Sequence, residues 1–304
     1  MDLLRTLCSI QAPSGDESAL TEFLLQYIED HKRNWKHKPK VYHGGLLQDA
    51  IVLSFGKPRT AIFAHIDSIG FTVRYGNQLV KIGGPVTDNG IVLVGKDSQG
   101  EVEVTLNTPE NAKFFQFDST REIDRGTNLT FKPNFRETDE FVQCCYMDNR
   151  LGVYNALKVA ESLKNGLIVF SCREEHSGGS TAYIGRWIAE KFKVHQALIS
   201  DITWVTEGVE HGKGVVVSMR DSGLPRRTFL NRIIDLAKKS GIPFQLEVEG
   251  SGGSDGIELQ RNSDSWEWCF VGAPESNVHS PDEKVHQDDI QSMIELYRWL
   301  MKEL

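Results

Sequence analysis

At 304 residues the chain is longer than one ordinary domain of roughly 150 residues and has room for a sizeable core. Its 39% hydrophobic and 25% charged residues exclude a collagen-like or disordered chain, and a formal charge of −8 without patterned basic and aromatic residues argues against a nucleic-acid ligand. No run approaches the ~18 apolar residues of a membrane span, and the opening MDLLRTLCSIQAPSG is interrupted by Arg5, Thr6 and Ser9, so a cytoplasmic protein with no membrane partner is expected. Cys8, Cys144, Cys145, Cys172 and Cys269 lack CxxC spacing and read as reduced core thiols.

In chain order, Leu3, Leu4, Leu7 and Ile10 recur at helical spacing, and after Ala12-Pro13-Ser14-Gly15 the pattern resumes through Leu20, Phe23, Leu24 and Ile28, which predicts two opening helices. β-rich runs at Ala50–Phe55 and Thr60–Ala64 follow, the second leading into His65-Ile66-Asp67. From Phe71 to Val142 turn signals such as Gly76-Asn77, Asp88-Asn89-Gly90 and Ser98-Gln99-Gly100 separate short strands, which predicts an all-β insertion. Strands and helices then alternate: helix Leu151–Leu163, strand Leu167–Cys172, helix Thr181–Lys191, strand Ala197–Ser200, helix Arg227–Lys239, strand Trp268–Val271 and helix Asp288–Leu304. The fold class is therefore α/β, a central mixed sheet flanked by helices, formed by residues 1–70 and 143–304 around an inserted β-rich unit at 71–142.

Five segments place metal-competent side chains at or after predicted strand ends: His65-Ile66-Asp67, Asp148-Asn149, Glu174-Glu175, Ser200-Asp201 and His279-Ser280-Pro281. Nitrogen and oxygen donors without thiolate suit zinc, cobalt or manganese. Two divalent ions are balanced by three carboxylates (Asp148, Glu175, Asp201) and one hydroxide, which leaves Glu174 as a surplus carboxylate of the kind a general base requires. Each segment alone has a plainer reading: His65 hydrogen-bonded in place, Asp67 a turn residue, Glu174-Glu175 a solvated turn, Asp148 or Asp201 a helix N-cap, His279 part of a loop. Their joint occurrence in order is what favours the metal site. Gly252-Gly253-Ser254-Asp255-Gly256 could cradle an anion, although it lacks the spacing of a phosphate loop.

The chain resembles the glutamyl and leucyl aminopeptidases of clan MH, the tetrahedral-type family of dinuclear metallopeptidases, some of which have been misnamed endoglucanases. The resemblance runs through Ala12-Pro13-Ser14-Gly15, Ala64-His65-Ile66-Asp67-Ser68-Ile69-Gly70-Phe71, Ile82-Gly83-Gly84-Pro85, Met147-Asp148-Asn149-Arg150, Arg173-Glu174-Glu175, Gly212-Lys213-Gly214, Gly252-Gly253-Ser254-Asp255 and Val278-His279-Ser280-Pro281. It implies a zinc-peptidase-like fold, two divalent metals (zinc, with cobalt or manganese as alternatives) and hydrolysis of N-terminal residues from short peptides. Asp148 would bridge the metals, with His65 and Asp201 on one and Glu175 and His279 on the other. Glu174 would be the base acting on a metal-bridging water, and Asp67 would orient the ligating imidazole. The resemblance also implies a cis peptide at Asp148-Asn149, and a PDZ-like dimerisation role for the insert in a homo-oligomer, dimer or larger.

The long interval between His65 and Asp148 puts the insertion after the first ligand. In the related carboxypeptidases and deacylases it falls between the fourth and fifth. A deacylase or carboxypeptidase, or a non-catalytic homologue, remain the alternatives. After Glu175 the family usually has Val-Gly where this chain has His176-Ser177, which leads to the expectation of a polar ring facing the pocket.

Overall fold

Three strands in which every residue is buried, Ile51–Phe55, Ala61–His65 and Gly166–Ser171, need cover on both faces of their sheet. In the computed structural model, which describes residues 1–108, 114–176 and 178–304, they lie side by side, inside the edge strand, in a mixed sheet of 11 strands among the described residues. Gly166–Ser171, Ala61–His65, Gln196–Trp204 and Glu267–Ser276 run side by side and parallel, with Ser171 opposite His65 and Asp201 opposite Gly272. Antiparallel strands extend the sheet outward, Ile51–Phe55 and Lys40–His43 on one side, Lys284–His286 and Phe141–Gln143 on the other.

Two groups of helices cover this sheet. Met147–Ala160 packs with Asp2–Ser9 and Gln287–Glu303, and the last of these also meets Arg227–Ser240; Thr181–Phe192 packs with Asp255–Arg261. The Asp148-Asn149 peptide is cis, as the resemblance implies. The five cysteines are buried and unpaired, and no helix among the described residues is long and apolar enough to cross a membrane.

Among the described residues, six antiparallel strands between Gly70 and Phe131 close into a separate barrel around Phe71, Leu79, Leu93, Leu106 and Phe131. Closure pairs the first strand, Gly70–Val73, with the last, Asn128–Phe131, and leaves the barrel no free edge. Arg136–Glu137 and Phe141–Gln143 belong to the large sheet, not to the barrel.

Several elements differ from their sequence-based outlines. Gln196–Trp204 continues past Ser200 through the β-favouring Ile202, Thr203 and Trp204, so Asp201 sits inside a strand rather than at its end. Val215–Ser218 and Phe244–Glu247 pair as additional parallel strands, four residues each. Within the Gly252–Gly256 run, Ser254 caps the helix Asp255–Arg261 by accepting from the Gly256 N–H, and the buried Asp255 carboxylate accepts from Ser171 and Thr181 hydroxyls.

Candidate active site

The carboxyl ends of the parallel strands are where an open α/β sheet leaves room for a ligand. Here they bring together the side chains singled out from the sequence. His65 closes its strand, Asp201 projects from the neighbouring one, Asp148 lies at the start of the helix Met147–Ala160, Glu174 and Glu175 follow the strand Gly166–Ser171, and His279 follows Glu267–Ser276.

Two groups of potential metal ligands, His65 with Asp148 and Asp201, and Asp148 with Glu175 and His279, each have donor atoms within 4.8 Å of one another. Asp148 faces both ways. Its Oδ1 is 3.1 Å from His65 Nε2 and its Oδ2 is 3.3 Å from His279 Nε2. His65 Nε2 is also 3.6 Å from Asp201, and His279 Nε2 is 3.1 Å from Glu175.

The protein alone leaves these charges poorly balanced. Burial pushes the carboxyls of Glu174, Glu175 and Asp201 upward, reinforced for Glu175 by Asp148. Burial also opposes charge on the imidazoles, but Asp201 and Asp148 hold His65 well above its ordinary range, and Asp148 with Glu175 raises His279 to about 11. Glu175 Oε1 is buried with no hydrogen-bond partner among the described residues. An acceptor-only oxygen in that position, within a histidine and carboxylate donor set, fits a divalent cation.

Asp67 stands behind this cluster. Its carboxylate accepts from the Glu174 and Glu175 N–H groups at 3.0 and 3.1 Å and from the Ser14 hydroxyl. His65 Nδ1 lies 3.2 Å from the Asp67 carbonyl and 3.5 Å from its carboxylate, so the expected contact to the imidazole is made mainly by the backbone, and the carboxylate chiefly fixes the loop carrying both glutamates. Glu283 performs a similar task on the other side, accepting from the N–H of Asp148 and of His279. Sequence reasoning assigned no role to Ser14 or Glu283. Ser14 stands in the Ala12-Pro13-Ser14-Gly15 motif, whereas Glu283 carries no signal beyond its position after Ser280-Pro281.

Gly83 shows why a glycine pair approaches the site. Its φ is +67°, and a Cβ there would lie 2.8 Å from Ile69 and 3.0 Å from the Glu175 carbonyl. The Gly83 N–H donates to His176 Nδ1 at 3.1 Å. His176 is exposed and absent from the cavity lining, contrary to the expected polar ring in the pocket; Ser177 lies outside the described residues. That cavity, of about 280 Å³, opens on all five clustered residues and Glu174.

Comparison with known proteins agrees with this architecture. A protein of Acetivibrio thermocellus named as an aminopeptidase is 23% identical over 97% of this chain and 96% of its own length. Among solved structures, a TET aminopeptidase from a marine-sediment Thaumarchaeota archaeon superposes with TM-score 0.86 at 18% identity, covering 100% of this chain and 96% of that one. An aminopeptidase of Desulfurococcus kamchatkensis gives 0.86 at 19% identity over 100% and 94% of the two chains. The Pyrococcus horikoshii TET1 peptidase, described as assembling into a tetrahedron or a large octahedral shell, gives 0.82 at 20% identity over 100% and 99%. These likenesses establish the α/β fold. Residues 114–296 match the family described as M42 glutamyl aminopeptidase, which is more than half of the chain, and the chain belongs to that family.

Proposed function

We propose that this aminopeptidase works with two divalent cations, His65 and Asp201 holding one, Glu175 and His279 the other, and Asp148 shared between them. The observation that carries this is the pair of ligand groups overlapping at Asp148, whose two oxygens face different histidines. Zinc fits the donor set, and cobalt and manganese are compatible with it. Such cations, when bound, supply Lewis acidity toward the scissile carbonyl and make water a usable nucleophile near neutral pH.

Glu174 is the remaining carboxylate and stands outside both ligand groups. Its Oε2 lies 3.9 Å from His65 Nε2, beside the reacting space rather than remote from it. In this reading a Glu174 oxygen takes a proton from the attacking water and returns it to the leaving amine. Asp67 supports that role by holding the Glu174 backbone. The Glu174→Gln protein is expected to retain its metal by elemental analysis while losing about 10²–10⁴-fold in kcat. A fully active Gln variant removes Glu174 from the mechanism.

The substrates are short peptides with free N-termini. A panel of aminoacyl chromogenic amides, each with its amine free or acetylated, tests this on zinc-reconstituted protein. Cleavage confined to the free-amine set is expected, and cleavage confined to the acetylated set identifies a deacylase. The barrel is proposed to be the PDZ-like dimerisation unit of a homo-oligomer. We propose its junction near residue 131 rather than 142, a reading supported by the pairing of Arg136–Glu137 and Phe141–Gln143 within the large sheet.

A further inference from the structure

The cavity continues beyond the clustered ligands, and its far part carries charge of its own. Asp221, Glu247 and Glu249 line it, while the described lining contains no lysine or arginine. Arg220 lies outside the lining, with its Nε donating to the Asp221 carbonyl at 3.1 Å. Glu247 and Asp221 are only 3% and 9% exposed. Burial pushes both carboxyls upward, and Glu249 and Asp221 add to the effect on Glu247. Ile202, Trp204 and Phe270 supply apolar wall. The same cavity opens on the Glu175 side chain, 3% exposed and with its Oε1 without a hydrogen-bond partner among the described residues, so the acidic wall adjoins the proposed metal ligands.

We propose that this far part receives the side chain of the substrate's N-terminal residue and selects lysine or arginine. The inference rests on the aminopeptidase site proposed above and names its substrate class. A glutamate side chain would bring a fourth carboxylate against three, with no lysine or arginine in the described lining to offset it. A leucine would bring no charge to this acidic wall and leave Glu247 and Asp221 only the neutral donors they already have, the Thr203 hydroxyl for Glu247 and the Gly223 N–H and Ser254 hydroxyl for Asp221. Lysine or arginine places a cation among them and lays its methylene stem along Ile202, Trp204 and Phe270. The preference is thus opposite in charge to the glutamyl substrates for which the family is named.

The test compares Lys, Arg, Leu and Glu p-nitroanilides on the zinc-reconstituted full chain. We expect kcat/KM for Lys or Arg to exceed that for Leu by at least about tenfold and that for Glu by more, with the KM for Lys rising as salt is added. Glu247→Gln should lower the Lys-to-Leu ratio by about tenfold. Glu249→Lys, at a partly exposed position that accommodates the change without burying a charge, should lower it at least as far. Preference for Leu or Glu by an active enzyme, or a ratio unmoved by Glu249→Lys, overturns the subsite and leaves the aminopeptidase reading intact. Silence across the panel with metal bound removes that reading instead. Calorimetric binding of L-lysine, L-leucine and L-glutamate then decides the subsite: tightest binding of lysine supports it, and equal or weaker binding overturns it.

Discussion

Arg150 is a guanidinium held entirely by backbone. It is fully buried and donates to the carbonyls of Leu7, Ile10, Ile66 and Asp67, joining the first helix to the turn after His65. Arg150→Met would strip those carbonyls of a shared donor, each loss costing about 1–3 kcal/mol. Denaturant melts should show a total loss above about 3 kcal/mol. Glu17, 2% exposed, accepts from the N–H groups of Gly15 and Arg173, and burial raises its carboxyl from the ordinary 4.5 to about 7. Because the unfolded chain gives up this proton first, the stability Glu17 contributes is present below about pH 4.5 and falls as pH rises toward 7. The loss amounts to at most about 3 kcal/mol. Glu17→Gln should flatten that part of the Tm against pH profile, and an unchanged slope would remove Glu17 as its source.

Among the elements, helices with one clear apolar stripe and the fully buried strands were legible in the sequence because their periodicity is dictated by packing. The four-residue strands Val215–Ser218 and Phe244–Glu247 were not, since such short runs between turns leave no period to read. All seven candidate site residues converge, yet Ser14 acts by donating to the Asp67 carboxylate, and Glu17 and Glu283 by accepting from the Arg173 and Asp148 N–H groups, all distant in sequence, and spacing cannot report those. The helix carrying Asp148 also depends on a close approach that only the fold reveals. A Cβ at Gly152 would fall 2.1 Å from both Asn149 Oδ1 and the Ser200 carbonyl, atoms joined through the Asn149 side-chain amide at 2.9 Å. Gly152→Ala should therefore lower Tm and, by displacing the segment beside Asp148, weaken zinc binding in a competitive chelator titration. Wild-type affinity in that variant would show that the helix start moves independently of the cluster.

For the whole molecule, two imidazoles and four carboxylates gathered in one buried space make folding and metal binding a single problem. Removing the cations should lower Tm in EDTA and readdition of zinc should restore it, with an increment that grows with free zinc as linkage requires. A Tm indifferent to both would contradict the proposed ligand set. The closed barrel enters this problem through its attachments. Gly70 follows His65 after one short turn, the chain leaving at Phe131 returns by way of Phe141–Gln143 to Asp148, and the Val86 N–H donates to the His279 carbonyl at 2.9 Å. The barrel is thus a handle fastened beside three of the five clustered residues. If the barrel is the dimerisation unit proposed above, a neighbouring subunit gripping it would bear on the spacing of His65, Asp148 and His279, and assembly would become a mechanical setting of turnover.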